Sequence, residues 1–184
     1  MSVSRDAGDL LDRIAQTSGQ QRLLRLGVLA GAGVVLVAIP SAGGGFHPLL
    51  SLIALLVALL AAMMPESHAG AVLLVTLGLY WVVLVPQHLG AWLLVAAAGM
   101  GLAHLCATLA SYGPAGHHLD PVLLRTWGRR AWVAVVATIA VWLLTGLLDF
   151  LDLPPSRFAL GAALLVLLGW VAYLSVRFAS PKER

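Results

Sequence analysis

One histidine lies far from any polar stretch of the chain. His104 sits inside an apolar run, about eight residues from the run's end at Tyr112 and so roughly 12 Å along a helix. Helical spacing puts Ala97 and Gly101 beside it, and Thr108 and Ser111 follow along nearly the same stripe. An imidazole in that setting can relay a proton, ligate haem or line a substrate path. It can equally be a neutral group hydrogen-bonded to a neighbouring helix, and that reading is preferred. Haem needs a second axial ligand at matching depth, and His47, His68 and His88 all sit at run ends. A bis-His haem within one chain is therefore not expected, one shared across a dimer stays open, and no cofactor is assigned.

Two further groups of polar residues gather between the apolar runs. His47, His88, Asp149, Asp152 and Arg157 fall on one side of the chain's alternating topology. Asp149 and Asp152 are three apart and would share a helix side, so imidazole and carboxylate ligands from three loops are conceivable for a divalent metal. No compact ligand motif supports a metal, and polar loop residues at a membrane surface need no special cause. Glu66, His68, His117, His118 and Asp120 fall on the opposite side, where a hydrated loop is the simpler reading.

The elements that hold these residues follow from composition. Of the 184 residues 60% are hydrophobic and only 10% charged, against about 25% charged in a soluble domain. With a mean hydropathy of +0.95, the chain reads as one all-α transmembrane helix bundle. Six apolar runs stand out, at Leu23–Ser41, Pro48–Met64, Ala69–Val85, Ala91–Tyr112, Ala131–Leu148 and Phe158–Phe178. A crossing of about 30 Å needs about 20 residues, so the second and third runs are marginal. Six full spans are favoured over a re-entrant hairpin there, because a lipid-exposed turn would leave backbone polar groups unpaired. Pro40 with Gly43, Gly44 and Gly45, then Pro65, Pro86, Gly113-Pro114 and Pro154-Pro155 punctuate the runs.

Residues 1–22 form an N-terminal segment with a short amphipathic helix at Asp9–Ala15, residues 23–178 the six-span domain, and residues 179–184 a tail. Arg22 and Arg25 precede the first run in the manner of a signal peptide. The basic stretch is long and further spans follow, so the run is read as a span. Asp120-Pro121 is an N-cap followed by proline at the first helical position, leading into the fifth run. Of eleven Lys and Arg, six spans with the N-terminus inside leave ten in the cytoplasm and only Arg157 outside. This predicts a multi-pass protein of the inner (plasma) membrane with both termini cytoplasmic. The pI near 9.6 reflects that asymmetry and points to no nucleic acid partner.

Gly27 and Gly31 make a small-xxx-small pattern in the first run, and Gly101 stands among Ala97, Gly99 and Ala103 in the fourth. These are candidate helix-packing positions, within one bundle by preference and otherwise between copies. The single cysteine, Cys106, excludes an intramolecular disulfide. Phosphate-binding loops, His-Glu-x-x-His and Gly-x-Ser-x-Gly are absent from the sequence.

The Arg-rich, nearly Lys-free chain with spans of Ala, Leu, Val and Gly resembles small multi-span membrane proteins of high-GC actinobacteria. It is also similar to those encoded beside MoxR-type ATPases, which implies an accessory role in assembling a larger complex. Three functions are weighed. The first is an accessory or structural subunit in contact with membrane lipid and another membrane protein or its own copies. The second is a small-solute or ion transporter or channel with a path lined by His104, Thr108 and Ser111. The third is an enzyme acting on lipid or quinone, requiring His47, His88, Asp149 and Asp152 to converge.

Overall fold

The computed structural model describes residues 18–65, 67–85, 90–112, 119–150 and Gly169. The expected helix at Asp9–Ala15 and the sixth run, Gly169 apart, lie outside the described residues. Within them the protein is all-helical: α1 (Gly19–Ser41), α2 (Pro48–Met63), α3 (Ala69–Leu84), α4 (Ala91–Ser111) and α5 (Pro121–Phe150). The chain divides into two compact units, residues 1–138 and 139–184, with the boundary inside α5. The first holds α1–α4 and the start of α5. In the second, the described chain is the end of α5, where Thr145 donates to Val141 O and Trp142 O at 3.0 and 2.8 Å.

Helix ends follow local chemistry. Ser18 caps α1 by accepting from Gln21 N at 3.3 Å. Pro40 was expected to help end α1, but it lies within the last turn and the helix continues to Ser41. A proline there forfeits only one backbone bond, so it is tolerated. The stop is a Schellman motif. Gly43 takes a positive φ of 88°, Gly44 N donates to Ile39 O at 3.0 Å and Gly43 N to Pro40 O at 3.1 Å. Pro48 opens α2 and Pro121 opens α5, each where a missing N–H costs nothing. Asp120 Oδ1 accepts from Val122 N at 2.8 Å, so α5 begins ten residues before its apolar run.

The body is built on α1, which packs most extensively against α4 and also touches α2 and α3; α2 packs on α3, and α3 on α4. What α2 buries is unlike a helix of a soluble protein. In α2 the buried residues are Ala54, Ala58, Ala61 and Ala62, while Leu49, Leu52, Leu55, Leu56 and Leu59 are exposed. Water would drive the leucines inward. In lipid no such drive acts between helices, so interfaces take small residues that let backbones approach, and large apolar side chains face the acyl chains.

Hydroxyls inside these apolar helices turn to their own backbone. Thr76 donates to Val72 O at 2.8 Å, Thr126 to Val122 O at 2.9 Å and Thr138 to Ala134 O at 2.9 Å. Each hydroxyl proton is thereby satisfied without a partner helix.

Candidate functional site

The closest approach in the body is between α1 and α4. A Cβ built on Gly31 would lie 2.5 Å from Gly99 O and 2.7 Å from Ala103 N. One on Gly99 would lie 2.8 Å from Gly31 O and 3.0 Å from Val34 Cγ1. A Cβ on Gly27 would overlap Cys106 Sγ. Below this seam Gln21 Nε2 donates to Ala110 O at 3.4 Å, and Gln20 Oε1 accepts from Leu119 N at 3.0 Å. The two helices thus touch backbone to backbone along their middle.

Gly27 and Gly31 lie in this seam, but Gly101 does not: it is exposed, and a Cβ there would meet nothing within 4 Å. Gly99 and Ala103 take the place expected of it. Small residues occupy nearly every position from Ala96 to Gly101, so spacing alone does not say which face meets α1. Gly99 and Ala103 form a small-xxx-small pair, but so do Ala97 and Gly101, so the pattern offers no signal that separates the two faces.

The polar stripe of α4 faces outward from the body. His104 and Ser111 are exposed and Thr108 is half-buried. Thr108 Oγ1 donates to His104 O and Ser111 Oγ to Thr108 O, both at 2.8 Å. The two hydroxyls therefore spend their protons on the helix that carries them. A path through this body would need those groups turned inward, where α1 and α4 instead close on each other.

Of the opposite group, His47 is exposed at the N-cap of α2. His88, Asp152 and the side chain of Asp149 lie outside the described residues, as do Glu66, His117 and His118. His68 precedes α3 and is exposed, and Asp120 caps α5. Among the described residues no three His, Cys, Asp or Glu side chains gather as metal ligands would.

A polar clamp that sequence reasoning missed joins α2 and α3. Ser51 Oγ and Tyr80 OH are 2.8 Å apart, and Tyr80 OH donates to His47 O at 3.2 Å. Tyr80 is 5% exposed. Removing its hydroxyl takes away the partner of the Ser51 hydroxyl and one of two donors to His47 O, which still accepts from Ser51 N at 3.0 Å. Tyr80→Phe is expected to destabilise the folded chain by about 1–2 kcal/mol, read as a lower midpoint of thermal unfolding in detergent. An unchanged midpoint would show the clamp to be energetically idle.

Tyr112 and Trp127 stand 5.9 Å apart at a tilt, with Arg130 5.2 Å over the Trp127 ring. Aromatic rings and guanidinium groups of this kind suit the headgroup zone.

Together these features define a class. The chain is a helical membrane protein in which α1, α4 and the Pro121–Leu147 stretch of α5 are long and apolar enough to cross a bilayer. No known protein family matches the chain, and no match is found among curated proteins or solved structures.

Proposed function

We propose that this protein is an integral membrane accessory or structural subunit that packs with other membrane proteins in a larger complex. The observation that carries this reading is the α1–α4 seam. Its centre is filled by Gly31, Gly99 and Ala103 at backbone contact, which makes the body a solid strut with no lumen along that seam. The polar groups that a transport path would use lie outside it. In the first unit α5 leaves Trp132, Val135 and Val136 exposed, and in the second Ile139, Leu143, Leu144 and Leu147, apolar side chains open to lipid or a neighbouring helix.

In this reading the chain crosses the plasma membrane six times, with both termini in the cytoplasm. The charge asymmetry supports that orientation, since ten of eleven basic residues then face the cytoplasm. Native mass spectrometry on the chain, extracted gently from its own membranes at native expression, tests the function. A defined mass containing a second polypeptide is expected. A homo-oligomer carrying no other protein would overturn the accessory reading and bring transport forward. His104→Ala would then be measured for solute flux.

A further inference from the structure

α3 is much shorter than the helices beside it, and the shortfall lies at one end. At 1.5 Å per residue the 23 residues of α1 extend about 35 Å and the 16 of α3 about 24 Å. Where α1 ends, the two are level: a Cβ on Gly44 would lie 3.1 Å from Val85 Cγ2, at the C-cap of α3.

Where α1 begins, they are not. Gln21 reaches Ala110 O, so α1 and α4 finish together at that end. Gly70, the second residue of α3, instead lies beside Ala107, whose Cβ would be 3.4 Å from a Cβ on that glycine. Beyond Ala107, α4 continues for four residues to Ser111, about 6 Å of helix with no α3 next to it. The 16-residue α2 shares the shortfall, and Pro65, Ser67 and His68 belong to the link between the two.

The missing turn sits beside the Ser111 end of the polar stripe. Counting from Ala107, which lies beside α3, Thr108 is one residue on and Ser111 four, both past the first turn of α3. His104, three residues back, is about 4.5 Å deeper and level with α3 itself. Ser67 and His68 are exposed at the tip. A bilayer of full thickness, about 30 Å of hydrocarbon, would set acyl chains against all of these polar groups. Short helices relieve such a mismatch by thinning the bilayer around them.

We propose that the leaflet nearest the N-terminus of α1 is locally thinned at the α2–α3 tip. Phospholipid headgroups and their water fill the notch between that tip and the Thr108–Ser111 end of α4. This rests on the reading that the helices cross a membrane. The notch is about one helical turn tall, and α3 closes it from above with Leu73 and Leu77 buried. A partner's spanning helix would run the whole thickness and finds no full-length groove here. A headgroup layer fits, because phosphodiester oxygens accept from an imidazole N–H, and bound water donates to hydroxyl oxygens.

The test is thiol accessibility in the full chain with Cys106→Ser as background, since Cys106 is the only cysteine. Thr108→Cys and Ser111→Cys are compared with Leu23→Cys and Leu26→Cys, exposed α1 positions whose levels bracket that of Thr108 by the Gln21–Ala110 and Gly27–Cys106 contacts. Each purified variant is placed in dioleoylphosphatidylcholine vesicles and treated on both faces with a charged, membrane-impermeant maleimide. Elution identical to the parent by gel filtration selects folded variants, and two notch positions guard against loss of one.

The notch predicts modification of Thr108→Cys and Ser111→Cys about tenfold faster than the two controls, the ratio that about 1.4 kcal/mol of easier water access gives. Equal protection of all four would overturn the notch while leaving the helices in the bilayer. Rapid modification of the controls as well would overturn the notch, and the same result for Leu56→Cys, exposed at the middle of α2, would overturn the membrane reading itself. Protection of the notch positions in native membranes but not in vesicles would assign the notch to a neighbouring protein instead of headgroups.

Discussion

Gly31→Val is expected to leave little folded protein in the membrane. Its Cβ would enter a space bounded at 2.5 Å by Gly99 O and at 2.7 Å by Ala103 N, both backbone atoms of a packed helix. Backbone does not rotate away as a flexible side chain does, so α4 must move as a body. Moving it opens the seam from Gly27 to Gly99 and forfeits the dispersion contacts of Val28, Ala32 and Val35, all fully buried.

Overpacking commonly costs 1–3 kcal/mol, and this case should reach at least about 3 kcal/mol because no side chain can yield. That changes the folded-to-unfolded ratio by roughly two orders of magnitude, a large share of a typical total stability. Gly99→Val should behave alike, since its Cβ would lie 2.8 Å from Gly31 O. The control is Gly33→Val, in the same helix with nothing within 4 Å of its Cβ. Steady-state level in the membrane and the thermal midpoint in detergent read the result. Equal midpoints for Gly31→Val and Gly33→Val would mean that the seam is not the close contact described.

A second large effect should be reversible by design. Gly27→Ala places its methyl onto Cys106 Sγ, with Cys106 Cβ 3.3 Å away. Here the obstacle is a side chain, buried at 8% exposure with little room to turn. A loss of about 1–3 kcal/mol is expected from the single substitution. Cys106→Ala removes the sulfur and should restore most of it, so the two changes together cost less than the sum of each alone. Additive losses in the double mutant, measured by thermal midpoints, would show that these two residues do not meet.

Much of the architecture was legible in the sequence because it is local. The apolar runs at 48–64, 69–85 and 91–112 became α2, α3 and α4 with ends within a residue. Proline and glycine act on the backbone where they stand, and a window of some 20 residues contains all that decides whether it is apolar enough. Asp120-Pro121 announced the start of α5 for the same reason. Pro40 misled because its effect depends on its distance from the helix end, which the Schellman glycines set.

Which faces meet was a different matter. Gly101 and Gly99 are two residues apart with near-identical surroundings, yet one is open and the other in backbone contact with α1. Ser51 and Tyr80 lie 29 residues apart, and no local pattern ties them together. The outward direction of His104 was equally hidden, since a lone polar residue was expected to face protein or water. In a soluble helix the apolar stripe shows which side turns inward. In helices as uniformly apolar as α2 and α3 that difference vanishes, because lipid and helix interface are equally dry. The sequence alone determined where the described helices form and that three of them are long and apolar enough to cross a bilayer. Only the tertiary structure decided their facing, through the shape fit between segments distant along the chain.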